Sequence, residues 1–572
     1  MRRQWLRSSL PRVLAGFLIG ALAIGGCTRS GPQDAAQVLA DPALQRLLQH
    51  IPADTPYAFV SMSDAGVREF VARIYAPLAP LAAEIDAKLG ALDQRELGLS
   101  DDKFVLLRAV AGELRGKLSV DGLAQLGLDV DARFALYGLG VLPALRLQLR
   151  DPAALRGALE RVQQQSGTRF ATRKLGELEY WYVGDDNIAA AIAIVDDQLV
   201  AGLAPTGQAD RVFALLLGVE RPAQHLGGSD RFRKLLADHG LTRVSAGFID
   251  ARALAETLMG EGDALGRDIL AALAPELAVK WPALTDVCKQ ELRSLVAIAP
   301  RLVFGTESID GSGYAGKFVL ELRPDLAQAL MAMRTAVPGL DPEAMQAALF
   351  AMGAGLDVER ALNFARTTAA AVQTAPYTCP ALADLNAAAA ELGGALKEVP
   401  PEVWKVRGGT FVAEDVKLAG FLPTEIRGYA SVATADPLTL LRPAMNLPPL
   451  AGHTLTDDGA VVRLSSGAIP FITDLSFAAK AGKGAVVGVG PGSQDRVQAL
   501  LDGAGPADPP LLVISYDMGR FGEIIRQVLA ASGEVPAAFQ GLADFYAALG
   551  TLVYDARATE HGVVMSTRMT LR

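Results

Sequence analysis

Two stretches far apart in this chain match at one constant spacing, and that constrains the fold more than any composition does. Asp210-Arg211-Val212, within LVAGLAPTGQADRVFALLLG, recurs as Asp495-Arg496-Val497 within VVGVGPGSQDRVQALLDG, an offset of 285 residues. Asp151-Pro152, after the strand pattern ALRLQLR, recurs as Asp436-Pro437, after YASVATA, again 285 residues on. A chain written twice in this way builds two similar bodies, each closing its own core.

Later segments follow the same script. RVSAGFIDARALAETL pairs with LLVISYDMGRFGEII, each a buried strand that ends on an aspartate, Asp250 or Asp517, and hands over to a helix. RLVFGTESIDGSGYAGKFVLELR pairs with TLVYDARATEHGVVMSTRMTLR, two alternating strands around a turn. SDRFRKLLADHG is an extra helix in the first half, and YAFVSMSDAGVREF repeats the strand-Asp-helix unit with Asp64. Asp64, Asp151, Asp250, Asp436 and Asp517 are therefore expected as helix caps, with Pro152 and Pro437 preorganising the first helical turn. The expected fold class is α+β: two homologous repeats of mainly antiparallel sheet with helices packed on one face, joined by an Ala-rich helical connector. The expected boundaries are 43–325 and 401–572 for the repeats and 326–400 for the connector.

MRRQWLRSSLPR, the apolar run VLAGFLIGALA and Ile24-Gly25-Gly26-Cys27 form a basic, apolar and small-residue series too short to span a bilayer. Ile-Gly-Gly-Cys resembles the lipobox of bacterial lipoproteins. That resemblance implies cleavage of residues 1–26, a lipid on Cys27 and a tether over 27–42. Thr28 in place of Asp implies the outer membrane, with the body facing the periplasm. The segment IPADTPYAFVSMSDAGVREF and the duplicated body also resemble, over short pieces, a family of uncharacterised bacterial envelope proteins, which implies no activity. Loss of four arginines and no acid with residues 1–26 takes the net charge from −9 to −13. An acidic surface repels phosphate backbones, so nucleic acid is excluded as a partner.

Cys288 and Cys379 are the other two cysteines. In an oxidising compartment they are expected to pair, the alternative being two buried thiols. A loop of this length would stabilise by about 4–5 kcal/mol in the chain-entropy model.

Motifs that carry chemistry fail one by one. Gly488, Gly490 and Gly492 have the look of a phosphate loop, but Gly488 meets Gly202 while Gly490 meets Ala204, and no acidic residue follows in a βαβ context. A strand-turn-helix joint is expected, with no nucleotide. GSGYAGKF puts Phe318 where a P-loop needs Ser or Thr, and it reads as a hairpin. Ser100-Asp101-Asp102-Lys103 lacks the Lys-Thr-Gly of penicillin-binding enzymes. His50, His225, His239, His453 and His561 show no metal-ligand spacing. No catalytic residue, metal or cofactor is assigned.

The leading expectation is a non-catalytic lipoprotein that binds or scaffolds another envelope protein. The alternative is a carrier for lipid or another apolar ligand, and the third is an enzyme with a dispersed active site. An exposed apolar or aromatic patch would favour the first, an apolar cavity the second and a cleft of convergent titratable groups the third.

Overall fold

Short apolar runs separated by tight turns favour antiparallel pairing, and the ladders recorded below follow that rule. The computed structural model describes residues 35–62, 66–74, 87, 101–274, 284–420, 422–442, 453–464, 472, 474–503, 505–531 and 537–572. The signal segment 1–26, Cys27 and Asp64 lie outside them. The chain divides into two compact units, one running to Leu284 and including Arg301–Lys317, the other comprising Thr285–Pro300 and Phe318–Arg572.

The first unit contains β1 (Tyr57–Ser61), β2 (Phe134–Leu139), β3 (Leu142–Gln148), β4 (Thr172–Leu175), β5 (Leu178–Gly184), β6 (Ile188–Val195), β7 (Gln198–Pro205), β8 (Ser245–Asp250) and β9 (Arg301–Asp310). β10 (Gly313–Glu321) follows across a turn in which Asp310 accepts from the Ser312 amide. GSGYAGKF is thus turn and strand, as its alternation requires. In the sheet the order is β4-β5-β6-β7-β3-β2-β1-β8-β9, all antiparallel. Ala58, Val60, Tyr137, Ala144, Ala191 and Val200 turn one face inward at 0–1% exposure. Val212, Phe213 and Leu216 of helix Ala209–Leu217 and Phe232, Leu235 and Leu236 of helix Asp230–His239 belong to the same buried core.

Helices Ala35–Leu39 and Pro42–Leu48 also belong to this unit, and residues 35–42 are therefore structured where a tether was expected. The reason is local. Asp41 caps the second helix through the Ala43 amide and pairs with Arg133, while Leu44, Leu47, Leu48 and Ile51 are 0–1% exposed.

The second unit contains β11 (Phe350–Ala354), β12 (Val406–Ala419), β13 (Leu422–Thr434), β14 (Val462–Leu464), β15 (Leu475–Lys480), β16 (Gly484–Val489), β17 (Leu512–Asp517), β18 (Leu549–Thr559) and β19 (Gly562–Leu571). Its order is β14-β15-β16-β13-β12-β11-β17-β18-β19. Val337, Leu340, Met345, Ala351, Val412, Tyr429 and Val513 form one buried cluster on its inner face. The Tyr429 hydroxyl donates to the Gly339 carbonyl at 3.0 Å, which fixes the covering loop. Burial pushes that phenol up to about 12.

Two expectations need correction here. The stretch 326–400 holds helices Val358–Thr374 and Ala383–Ala395, but it also contributes β11 to the interior of the sheet. Alternation in Phe-Ala-Met-Gly-Ala places Ala351 and Gly353 inward, and small residues of that kind also read as helix. Nor are helices confined to one face. Phe477 and Ala478 are adjacent in β15 and so point oppositely. Ala478 packs with Val497 and Leu501 of helix Ser493–Asp502, whereas Phe477 packs with Leu438 and Leu441 of helix Pro437–Leu441. Strands as apolar as SFAAK and GAVVGV require shielding on both sides.

Cys288 and Cys379 form a disulfide with Cα atoms 4.7 Å apart. It ties helix Asp286–Val296 to the turn ahead of helix Ala383–Ala395. Glu291 on the first helix accepts from the Thr378 and Cys379 amides, each at 2.9 Å.

A packed amino-terminal helix makes a measurable claim. Leu39→Ala, at a buried position inside the expected tether, should destabilise the protein by about 2–5 kcal/mol in urea denaturation. A loose tether would show no change.

Candidate functional site

Of the carboxylates expected as caps, the four among the described residues each accept from an amide of the helix that follows. Asp151 accepts from the amides of Ala153 at 2.9 Å and Ala154 at 3.1 Å, and Asp250 from that of Ala253 at 3.0 Å. Asp436 accepts from the Thr439 amide at 3.1 Å and from Lys405 at 3.1 Å. The hydrogen bonds from Thr439, and then the ammonium of Lys405, hold its carboxyl down at about 2. Asp517 accepts from the Arg520 amide at 2.9 Å and from Arg572 at 2.8 Å, and Asp250 from Arg231 at 2.6 Å. Each of the four spends carboxylate lone pairs on a helix end, and Asp250, Asp436 and Asp517 also hold a cation, so these positions serve the backbone.

The glycine loop after β16 also closes on itself. Gly490 and Gly492 have φ of +82° and +74°, a region open to glycine, and a Cβ on Gly490 would collide with the Ile426 carbonyl. Arg496 donates to the carbonyls of Val489 at 3.2 Å and Pro491 at 3.1 Å and pairs with Glu414 at 3.0 Å. Gly490 thus serves a close approach to β13, and Gly488 one to the helix Ser493–Asp502 that follows.

His50 offers no base of ordinary strength. His50 is pushed down to about 3 by burial first, then by the charges of Arg146, Arg221 and His225. Its Nδ1 has no partner among the described residues, and it sits against Gly218 and the Arg146 guanidinium. Arg146, 1% exposed, donates to Gln198 Oε1 at 2.9 Å and to the Leu216 carbonyl at 2.6 Å at the end of helix Ala209–Leu217. This is a buried cap of a helix carboxyl end, with the imidazole neutral beside it. Among the described residues no group of three or more His, Cys, Asp or Glu is arranged to hold a metal, and no helix is long and apolar enough to cross a membrane.

What the second unit does present is apolar surface. Opposite the buried row, the residues Ala430, Phe411, Met352, Ile514 and Tyr554 stand directly across β13, β12, β11, β17 and β18. Phe411 is 51%, Met352 44% and Tyr554 40% exposed. The next outward row runs through Ala413, Phe350, Tyr516, Leu552 and Met569. Phe350 lies 6.3 Å from Phe411 and Tyr516 lies 6.2 Å from Tyr554, ring centre to ring centre. These ten positions carry no charge. Sequence reasoning missed them because Met352 fell in a stretch read as helix. The detectable signal was a strand with large apolar groups on both faces, Phe411 outward and Val412 inward.

The His50 geometry predicts an acid effect with a definite sign. Its folded value lies below the unfolded 6.5, so its contribution is fully present above pH 6.5 and is lost as pH falls toward 3. Urea unfolding between pH 7 and 5 should show an acid loss of up to about 1.4 kcal/mol per pH unit that His50→Gln removes. Identical pH slopes in the two proteins would refute the assignment.

Set beside known proteins, this arrangement has no counterpart to borrow from: no protein-family model matches the chain, and no curated protein or solved structure matches it.

Proposed function

We propose that the chain is a non-catalytic, lipid-anchored protein of the bacterial envelope, made of two copies of one α+β unit, that holds a partner protein on the open sheet face of its second unit. The observation that carries this reading is the uncharged, aromatic-rich row of Phe411, Met352, Ile514 and Tyr554 on the four successive strands β12, β11, β17 and β18. Four strands at about 4.8 Å spacing make the row about 14 Å wide. That breadth and flatness fit the centre of a protein interface, where Phe, Tyr and Met are enriched and charge is depleted. Large exposed apolar patches on soluble bodies mark such contacts.

Duplication is supported by ladder partners that correspond position by position. In the first unit Ala191, Gly202, Ala144, Tyr137, Ala58, Phe248 and Val303 form one line across β6, β7, β3, β2, β1, β8 and β9. In the second, Ser476, Gly488, Tyr429, Val412, Ala351, Ser515 and Val553 form one across β15, β16, β13, β12, β11, β17 and β18. Asp250 and Asp517 then fall two residues beyond matching positions, and the helices they cap start one residue later in each unit.

Anchoring rests on the lipobox resemblance of Ile24-Gly25-Gly26-Cys27. With Ala35 already helical, the chain from Cys27 reaches at most about 28 Å at full extension. A lipid on Cys27 would thus hold the first unit close to its membrane, and outer-membrane placement with a periplasmic body follows from the same reading.

A photo-crosslinking residue in place of Met352, in cells, should trap a discrete protein adduct that disappears when Phe411→Asp is added. The same residue in place of Leu385, on helix Ala383–Ala395, should not trap it. Adducts of lipid alone would transfer support to the carrier reading, and an identical adduct from both positions would defeat the assigned face.

A further inference from the structure

Helices Val358–Thr374 and Ala383–Ala395 are joined by Gln373, which donates to the Ala389 carbonyl at 2.9 Å. Between them and Trp404 lies a groove of about 640 Å³, lined by Arg366, Ala370, Gln373, Gly394, Lys397 and Trp404 among others. This volume lies within the range of small-molecule sites. Small side chains make its floor: a Cβ on Gly394 would meet nothing within 4 Å. Trp404 is fixed by donation from its indole N–H to the Val399 carbonyl at 3.4 Å, which leaves its ring as apolar wall.

Charge in the groove is one-sided. Arg366 stands 5.7 Å from the Trp404 ring centre and donates to Asn363 Oδ1 at 2.6 Å. Neither Arg366 nor Lys397 takes part in an ion pair among the described residues. Asp357 pairs with Arg360 at 3.5 Å and Asp436 with Lys405 at 3.1 Å, while Glu398 and Glu402 are exposed and stand outside the groove lining. Two cations without carboxylate partners flank an aromatic wall in a chain whose net charge is −9.

We propose that this groove binds a small anionic amphiphile, its carboxylate or phosphate head between Arg366 and Lys397 and its apolar body along Trp404 and the Ala and Gly floor. The site is separate from the aromatic sheet face and stands or falls independently of it. An anionic head can accept charge-assisted hydrogen bonds from both cations at once, and an apolar tail lying along Trp404 removes apolar surface from water.

Isothermal titration of the full chain with dodecanoate and with dodecyl phosphate, against neutral dodecyl maltoside, tests it. At least one anionic probe should bind with 1:1 stoichiometry and the maltoside at least tenfold more weakly, and the preferred anion identifies the head group. Arg366→Ala with Lys397→Ala should weaken binding at least tenfold. Gly394→Leu, which enters open space on a helix, should abolish binding while leaving Tm unchanged or raised. Equal affinity for the neutral probe, no binding of either anion, or anion binding that survives Gly394→Leu would each overturn the proposal. Adducts trapped from position 352 should be unaffected by Gly394→Leu, so failure here leaves the sheet-face reading untouched.

Discussion

Everything in each unit hangs on one five-residue strand. β1 is the bridge between β2 and β8, and β11 is the bridge between β12 and β17. Remove either and the recorded ladders of that unit split into two separate sheets. The bridging strands make both sets of ladder bonds and carry small or slim inward residues: Ala58 and Val60 in one, Ala351 and Gly353 in the other. Gly353 has no room to grow, since a Cβ there would strike the Leu340 side chain. Tight inner packing at these strands leaves Tyr137 fully buried beside Ala58, and Val412 3% exposed beside Ala351. The opposite face of the same strand then presents Met352 to solvent. Core and candidate surface are two sides of one pairing.

That dependence explains what was legible in the sequence. Caps were, because Asp-Pro and strand-Asp signals act within four residues, and Asp151, Asp250, Asp436 and Asp517 all found the amides they were assigned. Hairpins and the joint after β16 were also legible, for the same local reason. β11 was not, because Phe-Ala-Met-Gly-Ala has weak strand propensity and becomes a strand only when β12 and β17 are on either side. β1 was misplaced in a subtler way. YAFVS looks like another strand of the β8 type, yet it pairs with β8 and occupies the place that β11 takes in the second unit. Local pattern identifies a strand; long-range pairing assigns its role.

The candidate surface was illegible for a related reason. A strand with apolar residues on both faces usually has both faces covered, as β15 and β16 do. Sequence alone cannot tell that Phe411 and Val412 part ways, one 51% exposed and the other 3%. The glycine loop shows the converse. It carried the strongest chemical signal in the chain, yet Gly490 lets backbone approach β13 and Arg496 bonds the carbonyls of Val489 and Pro491. Motif grammar reports backbone freedom, and the occupant is decided by neighbours far away in sequence.

If the two units are copies, the place where they differ most bears on what the second has been adapted to do. In the first, β2 and β3 join across Gly140-Val141, and the hairpin ends with the sheet. In the second, β12 and β13 continue to Ala419 and Leu422, while β11 pairs with β12 only over Gly409–Ala413 and β16 with β13 only over Gly428–Ala433. Residues beyond those limits form a two-stranded arm with register shifts near Ala413 and Lys417, and Lys417 pairs with Glu425 across it at 2.7 Å. Pro423 sits in this arm without disturbing any other ladder, as a free edge permits. Leu422 at its end is 72% exposed, the most exposed large apolar side chain among the described residues. A two-stranded ribbon with no cover is marginal on its own, so its stability must come from the sheet at its base, where Arg520 bonds Asp415 at 2.7 Å and Arg427 bonds Glu414 at 2.6 Å. The arm thus grows from the same strand that carries Phe411, and a partner seated on the aromatic row would meet the arm at its edge.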